Sequence, residues 1–332
     1  MIDLIAGFGN QLRHALEIGA KANLQANSKE IKNVMITGLG GSGIGGTIVS
    51  ELVAKECIVP ICTNKGYDLP EYINENTLVI CSSFSGNTEE TIEAFAKAKA
   101  KGAEIACVSS GGKLAELAKE NNLNYIQLPT AESPRTMMGY SITQLLYFLN
   151  HYGLIGDSFK SEMFSAAKLI DDLQPEIQAD AVKLADHIEG KTPIVYACDG
   201  YEGMAVRFRQ QMNENAKRLC WHNIVPEMNH NELVGWRKKD ESLAVIFFRN
   251  KSDYTRNQKR LEINKEVVSK YTSSVMEYWS KGHTMIENTF YLVNVCDHVS
   301  FIISQRNGVV AEEIDVINAL KGSLAKFYIK LY

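Results

Sequence analysis

The chain has no Cys-x-x-Cys pair, no Gly-x-x-x-x-Gly-Lys-Ser/Thr sequence and no His-x-His spacing, and no apolar run approaches the ~18 residues of a membrane span. Each absence removes a class of function. Seven scattered cysteines, Cys57, Cys62, Cys81, Cys107, Cys198, Cys220 and Cys296, read as buried free thiols in a reducing compartment. Gly190-Lys191-Thr192 has Ala185 where a P-loop needs its first glycine, so there is no standard cradle for a polyphosphate. A formal net charge of -4 offers no basic footprint, so neither DNA nor RNA is expected as a partner. No cationic segment followed by a signal-type apolar core opens the chain, and a cytoplasmic protein with no membrane partner is expected.

What is present is ordinary globular composition, 45% hydrophobic and 22% charged, over 332 residues, which is long for one domain. Two domains are expected, residues 1–153 and 154–332. In the first, apolar runs at Asn33–Thr37, Ile58–Thr63, Leu78–Cys81, Glu104–Ser109 and Tyr125–Leu128 alternate with helical spacings. Such alternation predicts an α/β fold of parallel βαβ units, with ligands bound at the carboxyl ends of the strands. Pro193–Cys198, Leu243–Phe248 and Ser274–Trp279, with helices over Met204–Leu219 and Gln258–Ser269, repeat that order in the second half.

The most informative stretch is Thr77–Thr91. A β-branched apolar strand gives way to Ser83-Phe84-Ser85-Gly86-Asn87-Thr88. Asn87 and Glu90 form a capping-box pattern that predicts a helix starting near Asn87 or Thr88. Free N–H groups and the positive end of the helix dipole would meet there, with Ser83, Ser85 and Thr88 adding hydroxyl donors. Neutral donors with no lysine suit a single phosphate ester. For any one serine the plain alternative is an ordinary cap.

A second glycine-rich turn, Gly38 to Gly46, includes Gly40, Gly41 and Ser42 and would let a ligand approach the backbone closely. It also contains Gly38-x-Gly40-x-x-Gly43, the dinucleotide-binding pattern, so an NAD(P)-binding enzyme is the rival reading. That pattern calls for a carboxylate ~20 residues on to hold a ribose hydroxyl. The candidate strand instead runs into Asn64-Lys65, and the first carboxylate is Asp68.

Four more residues could carry chemistry. Arg135 follows Pro134 at the start of the long apolar helix Met137–Tyr152, where a cation opposes the helix dipole; the plain alternative is a surface salt bridge. Glu214 lies about 200° around its helix from the apolar stripe of Phe208, Met212 and Leu219, so it faces either solvent or a cleft. His230, in Met228-Asn229-His230-Asn231-Glu232, sits in a segment with no core periodicity, read as a loop. At the C-terminus, Ile314, Ile317, Leu320 and Leu324 mark one face of an amphipathic helix with Lys321 at its edge, where a snorkelling lysine is the default.

Ser83-Phe84-Ser85-Gly86-Asn87-Thr88 resembles the Ser-x-Ser-Gly-x-Thr signature of sugar isomerase (SIS) domains, and the whole chain resembles the bifunctional phosphoglucose/phosphomannose isomerase family. The resemblance implies two SIS-type α/β/α sandwich domains, each with a mainly parallel sheet. It also implies an aldose–ketose isomerase that interconverts glucose 6-phosphate with fructose 6-phosphate through a cis-enediol, with mannose 6-phosphate as a further candidate. Such chemistry needs a base, groups for ring opening and a cation for the oxyanion, with no redox cofactor and no metal. Residue by residue, the resemblance implies that Gly40, Gly41, Ser42, Ser83, Ser85 and Thr88 bind the phosphosugar and that Glu214, in Asn213-Glu214-Asn215-Ala216-Lys217, is the base. It places Arg135 at the reacting end of the sugar and gives His230 and Lys321 catalytic roles. A homodimer with shared sites is implied as well, His230 entering the partner's site. Where bifunctional members carry a threonine linked to mannose, this chain reads Glu313-Ile314-Asp315, a departure that bears on the second substrate. The contrasting reading is a non-catalytic phosphosugar sensor, although no helix-turn-helix segment flanks the domains.

Overall fold

The structure is a computed structural model that describes residues 1–26, 29–131 and 133–328. Two helices, α1 (Ile2–Ala6) and α2 (Phe8–Lys21), open the chain. The first sheet follows as β1 (Asn33–Thr37), α3 (Gly40–Leu52), β2 (Ile61–Asn64), β3 (Thr77–Ser82), α4 (Glu89–Ala100), β4 (Glu104–Ser109), α5 (Gly112–Glu120) and β5 (Asn124–Gln127). Its five strands are all parallel in the order β2-β1-β3-β4-β5. This 2-1-3-4-5 order differs from the 3-2-1-4-5 order of dinucleotide-binding sheets, so the rival reading of the glycine pattern loses its topology as well as its carboxylate.

A short 3-10 turn, Pro134–Thr136, leads into α6 (Met138–His151), then α7 (Ser158–Asp172) and α8 (Gln174–Ile188). The second sheet comprises β6 (Thr192–Cys198), α9 (Glu202–Glu214), β7 (Trp221–Val225), β8 (Leu243–Arg249), α10 (Thr255–Val268) and β9 (Val275–Trp279). It is also parallel, ordered β7-β6-β8-β9. Hence β6 and β8 occupy the places that β1 and β3 hold in the first sheet. The chain ends with α11 (Met285–Arg306), started by a reciprocal cap between Thr284 and Glu287, and α12 (Asp315–Tyr328). Among the described residues no helix is long and apolar enough to cross a membrane.

One apolar core runs through both halves, from Leu12, Ile36 and Ile48 to Phe208, Ile246 and Phe290. At the seam between the halves α3 packs on α9 and α2 on α7. A Cβ at Gly203 would stand 2.5 Å from Ile48 Cγ1, so only glycine allows this approach. The Gly203 N–H donates to both carboxylate oxygens of Glu51 on α3, at 3.2 and 3.0 Å. Burial raises the Glu51 carboxyl to about 7 from its ordinary 4.5.

The glycine stretch expected as a turn is mostly helix. Only Gly38 and Leu39 lie outside α3, because the later glycines serve close packing: a Cβ on Gly43 would meet the Gly38 carbonyl oxygen at 2.5 Å, and one on Gly46 would meet Ile36 Cγ2 at 2.9 Å. The segment from Trp221, read from sequence without a strand, contains β7. It lies at the sheet edge, and its half-exposed His222 and Asn223 hide the apolar alternation.

Candidate active site

The hydroxyl loop leaves the carboxyl end of β3 and is braced from the neighbouring strand β4. Ser83 N donates to Val108 O of β4 at 3.0 Å, and Ser110 N donates to Phe84 O at 2.8 Å. Gly86, at φ +70°, lies so close to the Gly111 carbonyl that no side chain fits. Inside the loop, the Ser83 and Thr88 hydroxyls share a hydrogen bond of 2.8 Å, and Ser83 Oγ accepts from Gly86 N at 3.1 Å. Ser85 is exposed and Thr88 half-buried at the mouth of α4. The helix starts at Glu89 after Thr88, as the spacing predicted, yet Asn87 does not cap it. Its amide oxygen instead accepts Lys113 N at the start of α5, 2.9 Å away.

The glycine turn after β1 reaches the same loop. Ser42 Oγ accepts from Phe84 N at 3.2 Å, and a Cβ on Gly38 would strike the Ser82 carbonyl oxygen at 2.6 Å. Gly40 and Gly41 open α3 ahead of the first bonds, from Ser42 N and Gly43 N to Leu39 O, and no atom lies within 4 Å of either position's Cβ direction. Two helix starts, α3 and α4, with their hydroxyls, therefore lie side by side. That is an anion-binding arrangement.

A second cluster joins the two halves. Arg135, on the 3-10 turn after β5, forms an ion pair with Glu214, the last residue of α9, with Nε to Oε2 at 2.9 Å. Arg135 Nη1 donates to Asn215 Oδ1 at 2.9 Å and to Ala311 O at 2.7 Å. Its side chain is only 11% exposed, whereas Glu214 keeps 33%, so the carboxylate stays reachable while the guanidinium is held. Burial pulls the guanidinium below its ordinary value, and the neighbouring Glu214 charge opposes that shift. Lys217 Nζ donates to Glu214 O at 2.6 Å and to Glu313 O at 2.7 Å, tying the strap before α12 to the end of α9. A carboxylate beside a fixed guanidinium can remove a proton and stabilise the charge left behind.

His230 and Lys321 are not brought to this pair by the chain itself. His230 closes the 3-10 turn Glu227–His230, exposed, and makes no hydrogen bond or ion pair among the described residues. Lys321 is likewise exposed and unpaired among the described residues, on a helix whose Val316, Ile317, Leu320 and Leu324 are all exposed. Among the described residues no three His, Cys, Asp or Glu side chains gather as metal ligands would.

Several groups around Arg135 escaped the sequence reading. Arg207 donates to the Arg135 carbonyl at 2.6 Å, Asn215 bridges Arg135 to Ser300 of α11, and Asp297 pairs with Arg207. Their only signal was the i, i+4 spacing of Arg207, Gln211 and Asn215, which a solvated helix face shows equally well. Leu219, counted in the apolar stripe, lies beyond α9 and is exposed.

A family model described as the bacterial phospho-glucose isomerase C-terminal SIS domain matches residues 177–324. The solved C-terminal domain of glucosamine-fructose-6-phosphate aminotransferase from Francisella tularensis shares the fold, with a TM-score of 0.77 at 12% identity over 94% of this chain and 98% of that one. The bifunctional phosphoglucose/phosphomannose isomerase of Aquifex aeolicus is 29% identical over 89% of this chain and 91% of its own. The protein of the same name from Caldicellulosiruptor bescii is 34% identical over 98% of this chain and 99% of its own. Aligned nearly from end to end at that identity, the chain belongs to the bifunctional phosphoglucose/phosphomannose isomerase family.

Proposed function

We propose that the protein interconverts glucose 6-phosphate and fructose 6-phosphate through a cis-enediol, with mannose 6-phosphate as a second aldose. The observation that carries this reading is the Arg135–Glu214 pair, which sets a carboxylate and a cation together where the two halves meet. In this reading Gly40, Gly41, Ser42, Ser83, Ser85 and Thr88 hold the phosphosugar. Glu214 moves the proton between C1 and C2, and Arg135 stabilises the enediolate oxygen. The chain then divides at residues 153 and 154 into a phosphosugar-binding half and a half that supplies the base. A coupled assay on all three sugar phosphates tests it: turnover of glucose 6-phosphate supports the proposal, and binding without turnover of any of them would leave a sensor.

The working unit in this reading is a homodimer. Its support is His230, exposed without an in-chain partner among the described residues, together with the uncovered apolar residues of α12. His230 and Lys321 would open and close the sugar ring, His230 from the partner's side. Glu214→Gln and His230→Ala, each inactive alone, should regain up to about half the wild-type activity per heterodimer after subunit exchange. Light scattering checks the mass. No recovery despite demonstrated exchange would reject the shared site.

A further inference from the structure

We infer that Arg207 and Asp297 are positioning residues that aim Arg135 at Glu214, an inference that rests on the reading of Arg135 and Glu214 as the reacting pair. The two charges are deeply buried, with side chains 2% and 9% exposed, on different helices, α9 and α11. Arg207 Nε and Nη2 donate to the two oxygens of Asp297 at 3.3 and 2.9 Å. Nη2 also donates to the Arg135 carbonyl oxygen at 2.6 Å.

That last bond crosses from the second half to the first. A second arm runs from the same region of α11. Ser300 Oγ donates to Asp297 O at 2.8 Å and accepts Asn215 Nδ2 at 3.0 Å, and Asn215 Oδ1 in turn receives Arg135 Nη1. Arg135 is therefore gripped at its carbonyl through Arg207 and at its guanidinium through Asn215. From the other side, Gln11 Nε2 on α2 donates to the next carbonyl, Thr136 O, at 2.8 Å.

A buried ion pair is weak evidence of a stabilising role, since apolar residues of similar volume stabilise a core at least as well. What an apolar pair cannot do is fix a neighbouring carbonyl by a directed N–H. Arg207 does this with a fork whose other limb is anchored on Asp297, and a lysine ammonium lacks that fork. The turn bearing Arg135 is a single 3-10 turn with little structure of its own, so its aim depends on such external bonds.

The test is a double-mutant cycle on the full-length protein with glucose 6-phosphate as substrate. Arg207→Lys keeps the charge beside Asp297 and loses the fork. It should lower kcat about tenfold, with KM within about twofold, because misaiming a catalytic group weakens the chemical step more than binding. In an Arg135→Ala background the same change should cost less than about twofold, since the group it positions is gone. Equal losses in both backgrounds, or an unchanged kcat in the first, would overturn the inference. Should Arg207→Lys fail to fold, Ser300→Ala cuts only the second arm; it should lower kcat about threefold with Arg135 present and not without it. Equal effects of Ser300→Ala in the two backgrounds would again overturn it. An Arg135→Ala enzyme with wild-type kcat marks a different failure, that of Arg135 as a reacting group, and the positioning role falls with it.

Discussion

The loops after β3 and β8 occupy matching places in the two sheets and have opposite contents. After β3 the chain presents Ser83, Ser85 and Thr88 around a helix start, with no carboxylate inside the loop. After β8 it presents Asp253, 7% exposed, whose Oδ2 accepts Asn250 N at 3.0 Å while Oδ1 accepts Asn250 Nδ2 at 3.3 Å. Ser280 closes the same corner with hydrogen bonds to Asn250 and Asn288, both of 2.6 Å. The first loop leaves room for an external anion. The second carries its own, and a phosphate placed there would meet a like charge. In the proposed reading one topology serves two ends: binding stays with the first sheet, and the second contributes its groups from the far end of α9.

This contrast can be pushed from several sides. The largest effect is expected from Glu214→Gln, which keeps the shape and cannot accept a proton. Steady-state kinetics should show kcat reduced about 10²-fold or more, with KM for the phosphosugar little changed. Asp253→Ala should do the reverse. Two donors lose their acceptor, so urea unfolding should report a loss of about 2 kcal/mol while KM stays at its wild-type value.

Glu51 gives a smaller, pH-dependent effect. The folded carboxyl holds its proton up to about pH 7, whereas an unfolded glutamate releases it near 4.5. Between those values the folded state binds more protons, so stability falls as pH rises through the window and stays lower above it. Glu51→Gln removes that loss and still accepts from Gly203. Its melting temperature relative to wild type should therefore be higher at pH 8 than at pH 4.5, the gain at pH 8 corresponding to roughly 1–2 kcal/mol. A pH-independent difference would show that Glu51 does not titrate at the seam.

Ser85→Ala and Thr88→Ala should each raise KM a few-fold with kcat nearly constant, the size of one hydrogen-bond donor to a group bound throughout the reaction. Ser252→Ala, in the matching loop of the second sheet, should leave KM unchanged. An equal rise in all three variants would erase the distinction between the loops.

Much of this architecture was legible from residues alone, for reasons that also mark where legibility stopped. Asn33–Thr37 and Glu104–Ser109 are central strands with continuous apolar runs, and the structure places them with those bounds. β7 is an edge strand that packs against α9 and α10, and its polar residues concealed it. The glycines after β1 signalled close approach correctly, but the approach is mostly of helix to sheet. Ser83, Ser85 and Thr88 stood out because three hydroxyls around a helix start are hard to explain otherwise. Glu214 and Arg135 were each ambiguous alone, and their pairing depends on two segments 79 residues apart being packed together, which no local pattern records. Arg207, Asn215 and Asp297 were invisible for the same reason: a buried polar stripe and a solvated one have the same spacing, and only tertiary packing separates them.

The central claim, that proton transfer occurs at Glu214 while the first sheet merely holds the sugar phosphate, is tested most directly by hydrogen exchange. Incubated with fructose 6-phosphate in D2O, wild type should incorporate deuterium at C2 of the glucose 6-phosphate formed, as an enediol with a solvent-exchanging base requires. Glu214→Gln should bind the sugar phosphate with near wild-type affinity and show neither turnover nor exchange. Exchange at a near wild-type rate in that variant would contradict the account.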